Sequence, residues 1–89
     1  MNAIITVVGS DKMGIIAKVS QYLSDHKINI ADITQTILSG NFVMMMMVDL
    51  EKADIDIEEL RENMDKLADS MGVEINIMNE RVFSAMHRV

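Results

Sequence analysis

The residues best suited to bind a ligand lie where a strand near the start of the chain turns into a helix. Residues 8–14, Val-Gly-Ser-Asp-Lys-Met-Gly, join the β-branched run Ile4–Val8 to an apolar helical pattern. Ser10 or Asp11 can cap this helix, because a short side-chain oxygen accepts from the free N–H groups of the first turn. The same N–H groups form an anion site, and Gly14 leaves room for a close approach. This turn is therefore predicted to bind a small ligand.

Other interpretations of the same turn are weaker or less specific. It lacks the Lys-Ser/Thr ending of a P-loop and the third glycine of a dinucleotide-binding fingerprint. Ser10 has no histidine base near it in sequence, so no nucleophile–base spacing is visible. A structural alternative stays open, in which Gly14 only packs the helix on the strand.

Composition narrows the classes of partner. The 89 residues carry a net charge of −6, and 49 % of them are hydrophobic. A strongly acidic chain lacks the basic patches that nucleic acids and anionic membranes require, so neither is expected as a partner. No apolar run approaches the roughly 20 residues of a membrane span, and no secretory signal pattern is present. We expect a cytoplasmic protein.

Metal and cofactor sites are not predicted. The chain has no cysteine, which excludes thiolate ligands. Met44–Met47 could suggest a soft-metal site, but neighbouring strand residues point to opposite faces and cannot converge on one ion. His26 and His87 have no second ligand at a suitable spacing. The acidic residues 54–62 are interpreted as capping and solvated residues.

The periodicity of apolar residues predicts six main elements and a tail. A strand over Ile4–Val8 is followed by a helix, because residues 16, 19 and 23 recur at helical spacing. A second helix starts at an Asp54 or Asp56 cap and ends at Gly72. The expected order is strand Ile4–Val8, helix Lys12–His26, strand Ile28–Leu38, turn Ser39–Asn41, strand Phe42–Leu50, helix to Gly72, strand Val73–Ile77, and tail Glu80–Val89.

The third strand is apolar on both faces. Phe42, Met44, Met46, Val48 and Leu50 alternate with Val43, Met45 and Met47. The first set should face the helices, but two helices can cover only one face of a small sheet. The other face therefore needs a partner, and a homo-oligomer is expected, most simply a two-fold dimer.

The order β-α-β-β-α-β predicts the fold class. Split β-α-β units give an α+β ferredoxin-like sandwich, in which one four-stranded antiparallel sheet carries two helices on one face. Residues 1–79 should form this domain. Residues 80–89 should form a short C-terminal helix that docks through Phe83 and Met86, since a helix this short is marginal alone.

The stretch Val8–Ala17, together with Leu23 and Ile28-Asn29-Ile30, resembles the ACT domain family. It is similar in particular to the small stand-alone ACT proteins and to the group of the glycine-cleavage-system repressor. The resemblance covers about residues 2–79. It implies that an amino acid binds between the turn after the first strand of one protomer and the start of the second strand of another.

The resemblance carries ligand-binding roles to Asp11, Gly14 and Asn29, and the turn adds Ser10, Lys12 and Met13. Two residues depart from the family pattern. Met13 stands where proline is usual, so the turn is less rigid. Asp11 stands where serine-binding members carry a neutral amide. A carboxylate there could hold a ligand ammonium but would repel its carboxylate.

The expected function is that of a regulatory ACT domain that binds an amino-acid-like effector at the interfaces of a homo-oligomer. No catalytic activity and no cofactor are expected, and a protein partner that it regulates is a further expectation. The first alternative is a ligand-free module for oligomerisation or partner binding. A weaker alternative is an acyl-phosphatase-like enzyme, but its phosphate loop needs an arginine and this turn offers only Lys12.

Overall fold

The computed structural model of the protein describes residues 1–86, except for the side chains of Phe83 and Met86. Its elements are β1 (Asn2–Gly9), α1 (Lys12–Asp25), β2 (Asn29–Leu38), β3 (Asn41–Asp49), α2 (Ile57–Met71), β4 (Glu74–Asn79) and α3 (Glu80–Met86). All neighbouring strands are antiparallel, in the order β2-β3-β1-β4. This confirms the ferredoxin-like βαββαβ sandwich and the short C-terminal helix.

The core lies between the sheet and the two long helices. On β3, Phe42, Met44, Met46 and Val48 are at most 2 % exposed, as the alternation predicts. They belong to one cluster with the buried stripes of both helices, which are Ile15, Val19 and Leu23 of α1 and Leu60, Met64 and Ala68 of α2. Burying a large apolar side chain is worth about 1.5–3 kcal/mol, so this layer fixes the fold.

The ends of the elements follow from caps and turns. The Asp56 side chain accepts a hydrogen bond from Glu59 N–H at 2.9 Å, so Asp56 rather than Asp54 caps α2. Gly72 ends α2 in the left-handed region with φ 68°. Ser39 and Gly40 both have positive φ, which suits a two-residue hairpin turn.

The boundaries of the strands and the two long helices lie within two residues of the expected ones. The second strand begins at Asn29 rather than Ile28, and the register shift between Ile30 and Asp32 makes Ala31 a bulge. A Cβ on Gly9 would lie 2.5 Å from Val73 Cγ1 and 2.9 Å from Ile15 Cδ1, so Gly9 lets the start of α1 and the residue before β4 pack closely on the end of β1.

The tail helix α3 lies against β1 and β4. The expected anchors, Phe83 and Met86, lie outside the described side chains, and His87 lies outside the described residues. Among the described helices, none is long and apolar enough to cross a membrane.

A polar cluster ties the end of α1 to α2 and to the loop before it. His26 Nδ1 lies 2.8 Å from Asp54 Oδ1, and the His26 carbonyl accepts from Asp54 N–H at 3.2 Å. The Tyr22 ring is 4.5 Å from the His26 ring between centroids, and Asn63 Nδ2 donates to the Tyr22 hydroxyl at 2.7 Å. Because Asn63 belongs to α2, this cluster fixes one helix against the other.

The titration of Tyr22 tests this cluster. Burial raises the pKa of Tyr22 above its usual 10.0, and the Asn63 hydrogen bond partly opposes that rise. The folded chain therefore holds the phenolic proton more tightly than the unfolded chain does. The contribution to stability is complete below pH 10 and decreases as the pH rises through the raised pKa.

Tyr22 is the only tyrosine and the chain has no tryptophan, so phenolate absorbance reports this group alone. We expect the pH midpoint of the Tyr22 titration to be higher in the folded chain than in the urea-unfolded chain. It should be higher still in Asn63→Leu, which removes the hydrogen-bond donor that stabilises the phenolate. Equal midpoints for folded and unfolded chains would show that Tyr22 is not buried.

Candidate functional site

The predicted ligand turn is closed by its own cap. The Asp11 side chain accepts a hydrogen bond from Gly14 N–H at 3.1 Å, so Asp11 rather than Ser10 caps α1. A Cβ on Gly14 would overlap Asp11 Oδ2. Gly14 therefore makes room for the carboxylate of Asp11, which supports the structural interpretation of this glycine. One donor of the helix N-terminus is already occupied in this conformation.

A groove of about 220 Å³ opens beside this cap. Ser10, Asp11 and Gly14 line one side of it, together with Ile15 and Lys18 of α1. Ser70, Met71 and Val73 line the other side. Its volume is below the 300–1,000 Å³ of pockets for drug-sized molecules, so it suits only a small ligand.

The topology explains why these segments meet. The strands β1 and β3 are antiparallel, and each is followed by a helix that returns across the same face. The start of α1 and the end of α2 therefore lie at the same end of the sheet. Lys18 could have been found from sequence, because it lies four residues after Gly14 on one helix face. Ser70 and Met71 could be found only once the topology was known.

Lys12 and Met13 do not line the groove. The Lys12 ammonium lies 5.8 Å from the centroid of the Phe42 ring, within the range of a cation–π contact. Met13 is 79 % exposed. Of the predicted turn residues, the structure thus brings together Ser10, Asp11 and Gly14, and it directs Lys12 elsewhere.

Asn29 lies at the opposite end of the sheet. It pairs with Asp49, which in turn pairs with Asn2 at the start of β1. Because β1 spans eight residues at about 3.3 Å each, Asn29 is roughly 20 Å or more from the Asp11 cap within one chain. It lines a different cavity of about 320 Å³ with Lys27, Asp49, Glu51 and Lys52.

The electrostatics of the groove favour a ligand with both charges. The N-terminus of α1 carries partial positive charge and the C-terminus of α2 partial negative charge. Lys18 adds a cation and Asp11 an anion. A zwitterion can satisfy both sides of such a groove. The described residues include no group of three or more His, Cys, Asp or Glu side chains that could hold a metal ion.

The chain folds as a small ferredoxin-like α+β domain, and the start of α1 and the end of α2 together line the groove. The profile of the ACT domain family matches residues 2–78. The chain belongs to the ACT domain family.

Relatives of the same length support this assignment. The chain is 51 % identical over 87 residues to a UPF0237 protein of Bifidobacterium longum, covering 98 % of this chain and 97 % of the relative. It is 45 % identical over 87 residues to a UPF0237 protein of Methanopyrus kandleri, with the same coverage. A solved ACT domain protein from Streptococcus pneumoniae is 41 % identical, with a TM-score of 0.82 and 93 % of each chain covered.

A putative glycine cleavage system transcriptional repressor has a similar structure, with a TM-score of 0.73 and 20 % identity. The match covers 88 % of this chain and 47 % of that one. This likeness shows the shared fold.

The packing of the Asp11 carboxylate on Gly14 predicts coupled substitutions. Asp11→Ala should cost about 1 kcal/mol in the free energy of unfolding, the usual loss of a helix cap. In the natural sequence, Gly14→Ala displaces the Asp11 carboxylate and weakens the helix cap. The loss of the cap offsets the gain of up to about 1 kcal/mol in the free energy of unfolding that alanine brings over glycine in a helix. In the Asp11→Ala background nothing opposes that gain, so Gly14→Ala should stabilise.

Urea denaturation of the four proteins measures this coupling. The expected result is a non-additive cycle, in which Gly14→Ala is neutral or destabilising with Asp11 present and stabilising without it. Ala17→Gly, on the exposed side of the same helix, serves as a control and should cost the same in both backgrounds. An additive cycle would mean that Asp11 does not need the space at Gly14.

Proposed function

We propose that this chain is a regulatory domain that binds a small amino-acid-like effector between two copies and has no catalytic activity of its own. The observation that carries the proposal is the groove at the paired helix ends, where Asp11 and Lys18 place opposite charges around about 220 Å³. An amino acid is the simplest metabolite class that fits both the size and the charges.

The position of Asn29 supports a site shared between copies. Within one chain Asn29 and Asp11 lie at opposite ends of the sheet. Two copies whose β2 strands pair antiparallel would bring Asn29 of one to the same end as Asp11 of the other. Its amide offers both donors and an acceptor, so it can hold either end of a zwitterion.

The β2 edge is suited to such pairing. Residues 31–40 are all exposed, and they include Ile33, Ile37 and Leu38 at 40–65 % exposure. The strand has no lysine or proline, the residues with which proteins usually blunt an edge. The opposite edge, β4, has only six residues and leads directly into α3. A two-fold dimer through β2 would extend the sheet to eight strands.

An effector carboxylate would compete with the Asp11 carboxylate for the N-terminus of α1. Its carboxylate already accepts from Gly14 N–H, so an effector carboxylate at the same N-terminus meets an anion in place. Either the effector's ammonium binds Asp11, or its carboxylate displaces the cap. The exchange Asp11→Asn separates the two, because asparagine still caps a helix but carries no charge.

The family assignment supports a regulatory role over catalysis. ACT domains commonly regulate amino-acid metabolism through bound effectors. Among the described residues that line the groove, Ser10 and Ser70 have no histidine beside them, and His26 lies at the other end of α1. The same described lining includes Lys18 but no arginine, which an acyl-phosphatase-like loop would need.

Calorimetric titration with the common amino acids tests the effector site. We expect one of them, at up to millimolar concentration, to bind and to raise the thermal midpoint of unfolding. Lys18→Gln and Asn29→Ala should each weaken binding by about 1–3 kcal/mol, the cost of leaving a polar group of the site unpaired. Gly14→Val should abolish binding by filling the turn.

Glu62→Gln on the exposed side of α2 is the matched control and should bind like the natural chain. Because Gly14→Val also disturbs the cap, its thermal midpoint without effector must be measured alongside. If no amino acid gives a heat of binding or raises the thermal midpoint, the effector proposal fails. The chain would then be a module for assembly alone.

The assembly is tested separately by light scattering. We expect a dimer at micromolar concentration, and Ile37→Lys should convert it to a monomer, because a charged side chain would replace an exposed apolar one at the paired edge. Ile37 is 64 % exposed, so the substitution should change the stability of the monomer by at most about 0.5 kcal/mol. A natural chain that is monomeric would contradict the shared site.

A further inference from the structure

The strand register divides the sheet into a face that the helices cover and an open face. Thr6 pairs with Met45 and Asn76, and Ile4 pairs with Met47 and Met78. Since paired residues share a face, the open face carries seven apolar side chains, here called the open-face cluster: Ile4, Val8, Leu38, Val43, Met45, Met47 and Met78. Ile4 is only 4 % exposed between its two methionine neighbours, whereas Met45 is 38 % exposed.

Two carboxylates flank this cluster on the edge strands. Asp32 on β2 pairs with Met47, and Glu74 on β4 pairs with Val8. Asp49 at the end of β3 already lies 4.0 Å from the N-terminal ammonium of Met1. None of the strand residues that the register places on this face is a lysine or an arginine. The open-face cluster is therefore flanked by one carboxylate at each edge of the sheet.

The dimensions suit one helix. Asp32 and Glu74 lie on opposite edge strands, three strand spacings of about 4.8 Å apart, which gives a band roughly 14 Å wide. An α-helix with its side chains is about 10–12 Å across. Flexible methionine side chains can adapt to different apolar residues on such a helix.

We propose that the open face docks an amphipathic helix with basic flanks, contributed by another protein. Its apolar side would cover the open-face cluster, and its Lys or Arg side chains would reach Asp32 and Glu74. A second copy of this chain is the poorer occupant, because each copy is acidic overall and would bring a border of the same sign. The inference goes beyond the effector groove, which lies at the ends of the helices, and does not depend on it.

A pair of synthetic peptides tests the proposal directly. One is an 18-residue amphipathic helix of leucine and lysine with a single tryptophan, and the other has glutamate in place of every lysine. The chain itself has no tryptophan, so peptide fluorescence reports binding. We expect the basic peptide to bind, with an affinity that falls as salt is added, and the acidic peptide not to bind.

Three substitutions on the open face should weaken the binding of the basic peptide. Met45→Lys should lower affinity roughly tenfold or more, by removing an apolar contact and adding a like charge. Asp32→Asn and Glu74→Gln should each lower it roughly two- to fivefold, the effect of a rim charge. Asparagine at position 32 keeps an oxygen for the hydrogen bond that Asp32 accepts from Ile33 N–H.

Controls distinguish the open face from the general acidity of the chain. Asp65→Asn removes one charge from the exposed side of α2 and should leave affinity unchanged. Thermal midpoints of all variants verify folding. Equal weakening by Asp65→Asn and Asp32→Asn would overturn the proposal, and so would equal binding of the acidic peptide.

Light scattering tests whether a second copy of this chain, rather than a helix of another protein, covers the open face. If Met45→Lys converts a dimer into monomers while Ile37→Lys does not, a second copy covers the open face and the proposal fails. If Ile37→Lys alone dissociates the dimer, the open face is free for the helix. Loss of effector binding would leave both results unaffected, so the two proposals fail independently.

Discussion

Two helices can bury only one face of a four-stranded sheet, and this constraint shapes the rest of the molecule. The helices cover the face that carries Phe42, Met44, Met46 and Val48, and the main core cluster of the described residues lies in that layer. Beyond these two helices, the described chain adds only the short helix α3, which lies against β1 and β4. The open face and the two edges must therefore tolerate water or meet another molecule. Binding surfaces are thus an unavoidable product of this small fold.

The covered face could be predicted from sequence because its signals are local. The alternation from Phe42 to Val48 needs only the period of two of a strand, and both Asp11 and Asp56 sit just before apolar helical stripes. Gly72 marks the end of α2 for an equally local reason, since its positive φ suits glycine. These features agree with one another along the chain, and that agreement led to the fold class and to the boundaries of the strands and the two long helices within two residues. The bulge at Ala31 gave no such signal.

The candidate site could be predicted only in part, because it depends on contacts between distant segments. Ser10, Asp11 and Gly14 were found from the turn itself, whereas Ser70 and Met71 enter the groove from the far end of α2. Asn29 was assigned by resemblance, and the register places it at the other end of the same sheet. The bond between His26 and Asp54 joins residues 28 apart and was likewise invisible in the sequence. Periodicity fixes the faces of elements, but not which ends of them meet.

Gly14 shows how a structural and a functional interpretation can apply to the same residue. The space it leaves is filled by Asp11, so the cap alone explains why glycine stands there. That explanation does not remove the site, because an aspartate cap is a carboxylate bound at a helix N-terminus, the very chemistry that an effector carboxylate would use. The cap contributes about 1 kcal/mol to the helix, less than the roughly 4 kcal/mol that even millimolar affinity represents. An effector can therefore displace Asp11 at modest cost, and the start of α1 would then report whether the groove is occupied.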